Sequence, residues 1–264
     1  MQNYLIKNIN IVNEGRIQTA DVAIENDRIK TIGSNLAASG GAIEIAGDGN
    51  YLLPGAIDDQ VHFREPGLTH KATIYTEAKA AVAGGVTSFM EMPNTQPPVF
   101  TQALLEDKYS IAAQTSLANY SFYMGTSNYN LEDVLATNKK KESVCGVKIF
   151  MGSSTGNLLV DNYLTLDAIF GSTEMLIATH CEEEAIIRAN FEKRKGEKGE
   201  LTIEDHPIIR DVDACFESSF KAVQLAKKHD TRLHILHIST AKELQLFTNL
   251  IPAKDKRITA EVCV

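Results

Sequence analysis

The segment PGAIDDQVHF (54–63) separates two different sequence patterns. Before it, residues 1–53 form short runs of alternating apolar and polar residues broken by turn residues, which predicts a small antiparallel sheet. From residue 54 onward, short apolar runs alternate with longer amphipathic stretches, a pattern typical of the strand and helix units that build a parallel sheet. The seven apolar runs are AIDDQVHF (56–63), VTSFMEM (86–92), LANYSFYMG (117–125), CGVKIFMG (145–152), MLIATHCE (175–182), RLHILHIS (232–239) and RITAEVCV (257–264).

Four of the amphipathic stretches carry apolar residues at helical spacing, so we predict a helix in each. They are 69–85, closed by two glycines, 101–115, 213–229 and 240–250. The most basic stretch, 193–198, is interleaved with glutamate, and we predict a solvated loop there.

Polar or ionisable residues stand near the end of each of the seven runs. Because parallel barrels gather their functional groups at the C-terminal ends of the strands, we predict an α/β fold with a TIM-type (β/α)8 barrel over 54–264 and a separate small sheet over 1–53. Such a barrel needs an eighth strand, whereas the seventh run ends at Val264. We therefore expect the protein to continue with a helix and an eighth strand. A doubly wound open sheet is the alternative fold.

The composition excludes several classes of protein. A net charge of −8 without a basic stripe argues against nucleic-acid binding, because neutralising phosphates requires clustered Lys and Arg. The sequence has no apolar stretch near the ~20 residues of a membrane span, and its polar start lacks the features of a secretory signal, so we expect a cytoplasmic protein. The four cysteines form no CxxC pair, which indicates reduced thiols and excludes a zinc knuckle.

Three histidines, His62, His180 and His237, stand near the ends of three different predicted strands. Strand ends of a parallel barrel converge on one mouth, and neutral imidazoles are good zinc ligands, so the three predict a zinc site. His234 is out of phase with His237, so we expect it to face the helices, either as a core residue or as a residue that supports a metal ligand. We interpret Cys181 as a buried structural thiol.

Lys148 lies between apolar residues on the predicted strand CGVKIFMG. Burial favours the neutral amine, which CO2 can convert to a carbamate, and a carbamate can bridge two metal ions. The alternative is a buried ion pair between Lys148 and a carboxylate.

Taken together, these motifs resemble those of the dihydroorotase branch of the amidohydrolase superfamily. The resemblance is carried by DxxVHFREPG, by MPNT (92–95), by GVKIFMGSSTGN (146–157), by THCE (179–182) and by HILHIST (234–240), in this order. It implies a zinc site with one or two ions at the mouth of a (β/α)8 barrel and a small β-sandwich that includes residues 1–53. It also implies reversible cyclisation of N-carbamoyl-L-aspartate to L-dihydroorotate in pyrimidine synthesis.

The resemblance also implies roles for individual residues. His62 would bind one metal ion, His180 and His237 the other, and a carboxylated Lys148 would bridge them. The substrate carboxylate would be held by Arg64 and Asn94, since a guanidinium can bind a carboxylate in a bidentate manner. The stretch 152–157 would be either a loop over the mouth or an ordinary connection. The acid–base catalyst of the family, an aspartate after the eighth strand, would lie beyond Val264.

Two further departures from the family pattern leave other functions open. Gln60 replaces the first histidine of the usual His-x-His, and an amide oxygen is a poorer zinc ligand than an imidazole. Cys215 stands where relatives often carry glutamate. One alternative is an allantoinase or hydantoinase; the other is a catalytically silent subunit that stabilises a partner such as aspartate transcarbamoylase. For the enzyme we expect a small-molecule substrate and a homo-oligomer.

Overall fold

A computed structural model of the chain describes residues 2–152 and 157–262. The chain divides into two compact units, Met1–Ala56 and Ile57–Val264. The first unit is built on a five-stranded sheet. Its strands are β1 (Tyr4–Asn13), β2 (Arg16–Glu25), β3 (Arg28–Gly33), β4 (Ile43–Ala46) and β5 (Tyr51–Leu52).

This first sheet is mixed, so the prediction of a purely antiparallel sheet is wrong. Strands β1, β2 and β3 form the predicted antiparallel meander, but β4 and β5 both pair with β1 in parallel. The alternation of apolar residues identifies a strand without giving its direction, and here the connection after β3 returns the chain to the start of β1. Asp21 holds that connection, because its carboxylate accepts hydrogen bonds from the backbone N–H of Leu36 and from Lys7 Nζ.

The second unit is built on seven strands, as predicted. They are β6 (Ala56–Val61), β7 (Val86–Glu91), β8 (Asn119–Gly125), β9 (Gly146–Phe150), β10 (Ile177–His180), β11 (Leu233–Ile235) and β12 (Ile258–Ala260). They lie side by side in chain order, and the ladders from β7 to β12 are parallel. The order has no switch point, which excludes the doubly wound alternative.

The sheet curls into an open barrel wall. Tyr123 Oη on β8 donates a hydrogen bond of 3.1 Å to the carbonyl oxygen of Asp59 on β6. His234 Nε2 on β11 lies 3.7 Å from Asp59 Oδ2, although four strands separate β11 from β6 in the sheet. Side chains from strands this far apart in the sheet meet only if the sheet bends round an interior, so the α/β barrel-type fold is confirmed for these seven strands.

Helices connect the strands. They are α1 (Ile74–Ala83), α2 (Gln102–Thr115), α3 (Leu131–Ala136), α4 (Tyr163–Ser172), α5 (Glu184–Lys198), α6 (His206–Ile209) and α7 (Val212–His229). Three of the four predicted helices are present as α1, α2 and α7. Helix α1 begins at a Thr73 capping box and ends at Gly84, as its sequence indicates.

Two expectations about helices are wrong. Residues 240–250 contain a short 3-10 helix, Ala241–Leu246, because the buried Glu243 turns back to bind Thr240 Oγ1 and Ser219 Oγ instead of lying on a continuous helical face. The basic stretch 193–198 is the last part of α5 and not a loop. Its high charge and Gly196 obscured a helix that places its polar residues in solvent.

The two faces of the curled sheet have different contents. The face that packs on the helices holds the main hydrophobic core, which includes Phe89, Phe122, Ile149, Ile177 and Leu233. The inner face holds a small cluster of four buried residues, Met92, Tyr123, Ala178 and Leu236. Ladder register places Lys148, Ala178, His234 and Thr259 in one row across β9 to β12, so these residues share the inner face.

Candidate functional site

His62 follows β6 directly and is paired with Asn94, which follows β7. Their Nδ1 and Oδ1 atoms are 2.8 Å apart. An amide oxygen only accepts hydrogen bonds, so Nδ1 of His62 carries the proton and Nε2 presents a lone pair. Burial and the neighbouring positive charge of Arg64 lower the pKa of His62 to about 4. At neutral pH the ring is therefore uncharged, which is the form that binds metal ions.

His180 and His237 form a second pair. Nδ1 of His180 lies 3.2 Å from Nε2 of His237. Two nitrogen ligands about 2.0–2.1 Å from one tetrahedral zinc ion are separated by about 3.3 Å, so this spacing fits a shared ion. Burial, together with electrostatic repulsion from His180 and Lys148, lowers the pKa of His237 to about 4.

A carboxylate orients the ring of His180. Its Nε2 donates a 2.7 Å hydrogen bond to Glu182 Oε2, and Arg210 Nη1 contacts the same oxygen. Burial alone would raise the pKa of Glu182, but the hydrogen bonds from His180 and Arg210 lower it to about 2. Because Nε2 carries the proton, the lone pair of neutral His180 is on Nδ1, the atom that faces His237.

The backbone at His237 has a left-handed conformation. Its φ of 40° is uncommon for a residue with a side chain and turns the chain sharply just after β11. The backbone N–H of His237 donates a 3.3 Å hydrogen bond to Glu261 Oε1, which stabilises the turn. We infer that the turn is what brings the imidazole to His180, since local backbone strain is commonly retained at functional sites.

Lys148 lies on the inner face near both histidine groups. It is only 1% exposed, and its Nζ atom lies 4.5 Å from the centroid of the Phe150 ring. Burial lowers the pKa of Lys148 to about 7, and its charge in turn lowers the pKa of both His62 and His237. A substantial fraction is thus the neutral amine that carbamate formation requires. The predicted loop 152–157 falls largely on 153–156, which lie outside the described residues.

The expectation that His234 faces the helices is wrong. Its Nε2 lies 3.3 Å from Glu261 Oε2 and 3.7 Å from Asp59 Oδ2, on the inner face. Alternation from His237 gave the wrong side because β11 ends at Ile235 and the left-handed turn breaks the alternation. Asp59, His234 and Glu261 form the one group within the described residues whose ligand atoms all lie within 4.8 Å of one another. Their nitrogen and oxygen donors suit a divalent cation.

Several of these partners were not identified from sequence. Glu182 could have been, because it stands two residues beyond His180 and strand periodicity keeps such residues on one face. Arg210 and Glu261 reach the site from distant segments. Asp59 lies on β6 near His62, and it meets His234 because the sheet curls, which no local pattern indicates. Cys181 is buried and contacts Thr179 Oγ1, in agreement with a structural thiol.

A cavity of about 340 Å³ opens beside the His180 and His237 pair. Its remaining lining includes Glu182, His206, Arg210 and Cys215. The cavity is thus lined partly by polar side chains and provides space for a small molecule next to the two imidazoles.

The chain matches a family model and curated proteins along most of its length. The model of the amidohydrolase family matches residues 51–257. The dihydroorotase of Methanosarcina acetivorans is 31% identical over 243 residues, which are 91% of this chain and 51% of that protein. An allantoinase of Solibacter usitatus is 30% identical over 92% of this chain and 53% of its own length. The chain therefore spans about half the length of the curated relatives it matches.

A solved structure supports the same fold. The L-hydantoinase (dihydropyrimidinase) from Arthrobacter aurescens superposes with a TM-score of 0.88 at 23% identity, covering 99% of this chain and 58% of that one. At this identity the likeness concerns the fold alone. The family model covers both β6, which precedes His62, and β11, which precedes His237, and it includes more than half of the residues. The chain belongs to the amidohydrolase family.

Proposed function

We propose that this chain is part of a metal-dependent dihydroorotase, which interconverts N-carbamoyl-L-aspartate and L-dihydroorotate. The observation that carries the proposal is that Arg64 lies two residues after His62, near enough for its positive charge to lower the pKa of His62, which is hydrogen-bonded to Asn94. A guanidinium next to candidate metal ligands suits a ring that carries a carboxylate, because Arg forms bidentate hydrogen bonds with carboxylates. Dihydroorotate is such a ring, whereas hydantoin and allantoin lack the carboxylate.

The residues fit zinc. His180 and His237 have the spacing of two ligands on one ion, and Glu182 fixes the ring of the first. We propose that they hold one ion, that His62 contributes to another, and that carboxylated Lys148 lies between. When bound, zinc supplies Lewis-acid activation of an amide carbonyl and of water.

The side chains of this chain would bind the substrate and orient the metal ligands. In the proposal, Arg64 and Asn94 bind the substrate carboxylate and so orient the ring relative to the histidines. Asn94 accepts from His62 Nδ1 and thereby keeps the opposite nitrogen, Nε2, available as a ligand. Burial keeps His62 and His237 neutral near pH 7. The proposal also includes a cytoplasmic location and a homo-oligomer.

Within the described residues, no helix combines the length and the apolar character that crossing a membrane requires.

Two other functions remain to be distinguished. The allantoinase relative favours a different cyclic amide as substrate. Gln60, in place of a histidine, favours a silent subunit that stabilises a partner such as aspartate transcarbamoylase.

The test is a substrate panel on the native protein with its zinc content measured in the same sample. Dihydroorotate, dihydrouracil, hydantoin and allantoin differ in their rings and in the presence of a carboxylate. Turnover of dihydroorotate above the other three, with bound zinc, is the expected result. Preference for hydantoin or allantoin would support the second function, and zinc-free protein without turnover would support the silent subunit.

A further inference from the structure

A fully buried ion pair lies behind the strand ends that carry His62 and Asn94. Lys108 Nζ on α2 lies 2.9 Å from Glu91 Oε2 at the end of β7, and both side chains are at most 1% exposed. Burial raises the pKa of Glu91 and lowers the pKa of Lys108, and the attraction between the two opposes both shifts. A buried ion pair generally adds little net stability compared with apolar residues of the same size. Its presence therefore calls for another explanation.

The pair is attached to the backbone of the candidate site. Glu91 Oε1 accepts a 3.0 Å hydrogen bond from the backbone N–H of Phe63, and the N–H of Arg64 donates to the same carboxylate. These two N–H groups lie directly after His62. Arg64 itself has a φ of 67°, a left-handed conformation that requires support from its surroundings.

Lys108 binds the backbone of the segment that leads to Asn94. Its ammonium donates a 3.0 Å hydrogen bond to the carbonyl oxygen of Met92, two residues before Asn94. The backbone N–H of Met92 in turn donates to the carbonyl oxygen of Val61, which precedes His62. The pair thus connects both segments that supply the proposed metal ligand and carboxylate-binding residues.

We propose that Glu91 is a positioning residue that sets the placement of Arg64 relative to His62, and so determines selectivity for a carboxylated ring, while Lys108 balances the buried charge of Glu91. This inference rests on the proposed function. The critical element is the acceptor that Glu91 offers to Phe63 and Arg64. Without it, two buried N–H groups lose their partner, and the left-handed turn at Arg64 can relax.

Two double variants separate this role from a simple contribution to stability. E91Q/K108M removes both charges but keeps an amide oxygen for the two N–H groups, whereas E91M/K108M removes the acceptor as well. D21N/K7M is the matched control, since Asp21 is also a buried carboxylate that pairs with a lysine, Lys7, and accepts a backbone N–H, and it lies in the other unit.

The measurements are amide hydrogen exchange and the binding of orotate and uracil to the native protein by calorimetry. In E91M/K108M we expect faster exchange at Phe63 and Arg64, and an orotate-to-uracil affinity ratio that falls roughly 10- to 100-fold, as for loss of other site-supporting contacts. E91Q/K108M and D21N/K7M should keep the wild-type ratio, whatever their melting temperatures.

Each other outcome has a definite meaning. A wild-type ratio in E91M/K108M, with or without faster exchange, would show that the pair is only structural. An equal loss in both Glu91 variants would show that the charges or Lys108, and not the acceptor on Glu91, set the ratio, which would also overturn the proposal. If the wild-type protein binds uracil and orotate with equal affinity, the proposed function fails. In that case, amide exchange at Phe63 and Arg64 still tests whether Glu91 holds this turn. Faster exchange in E91M/K108M supports that role, and unchanged exchange contradicts it.

Discussion

Nδ1 of His180 and Nε2 of His237 are 3.2 Å apart, although 57 residues separate them in the sequence. Hydrogen bonding to Glu182 leaves the Nδ1 lone pair of neutral His180 pointing toward the other ring. When Nε2 of His237 is also unprotonated, the two lone pairs point at one position, where a cation can bind both nitrogens.

Zinc titration of metal-free native protein should show that its tightest site depends on His180 and His237. H180N and H237N are each expected to abolish that site, because each removes one of two ligands with the correct spacing. H62N should retain it, since His62 belongs to the other pair. Competition with a chromophoric chelator measures the affinity. Loss of the tightest site in H62N alone would reverse the assignment.

Glu182→Gln should weaken this zinc site without abolishing it. An amide oxygen can still accept a hydrogen bond from His180 Nε2, but it lacks the charge that increases the basicity of the imidazole. Loss of such an orienting carboxylate costs roughly 10- to 100-fold in metal affinity. Glu192→Gln, at an exposed position of α5, is the control. An unchanged zinc affinity in E182Q would mean that the carboxylate serves only to bind Arg210.

Much of the fold could be predicted from sequence because each strand carries its own local pattern. The runs that became β6 to β12 are short, apolar and separated by helical stretches, and strand periodicity places Lys148 on the inner face. The prediction of which face a side chain occupies was wrong where the regular alternation of a strand ends. His234 was assigned to the wrong face because the left-handed residue His237 follows a strand of only three residues.

Contacts between distant segments could not be predicted. The ion pair of Glu91 with Lys108 and the contact of Glu182 with Arg210 join residues that no local spacing relates. The parallel pairing of β4 with β1 also depends on the path of a connection, which composition does not specify. These contacts determine the orientation of the site residues, whereas local pattern determines their placement on strands.

Arg64→Lys should impair the use of dihydroorotate by the native protein. The charge remains, but lysine cannot form the bidentate interaction, so we expect kcat/KM to fall by the equivalent of about 1.5 to 3 kcal/mol. Zinc content should not change, and neither should turnover of dihydrouracil, which has the same ring without the carboxylate. Equal losses on both substrates would contradict a carboxylate-binding role for Arg64.

Lys148 should make the free energy of unfolding of the metal-free protein increase as the pH rises above about 7. Its pKa is about 7 in the folded state against 10.5 as the ordinary value. Between these values the unfolded chain holds a proton that the folded chain lacks, so this contribution stabilises the fold as pH rises, by up to about 1.4 kcal/mol per pH unit. Cys145, whose pKa burial raises to about 12, acts in the opposite direction.

The difference between wild type and K148M isolates the contribution of Lys148 from that of Cys145. Urea unfolding from pH 7 to 10, in buffer free of CO2, should show the wild type gaining stability relative to K148M as pH rises. K193M, at an exposed position of α5, should follow the wild type. Parallel curves for wild type and K148M would mean that Lys148 remains protonated when buried, and carbamate formation would then be disfavoured.

Gln60→His should strengthen the metal position at His62. Gln60 lies on β6 and His62 directly follows that strand, two residues later, so strand periodicity is expected to project their side chains to the same side. An imidazole is a better zinc ligand than an amide, and the histidine would restore the His-x-His pattern that the family resemblance implies. We expect the variant to bind a second zinc ion more tightly, while the affinity at His180 and His237 stays the same. Q60N, which keeps an amide, is the matched control. If Q60H binds no more zinc than wild type, then residue 60 does not face the metal, and the Asp59, His234 and Glu261 group becomes the better candidate for the second ion.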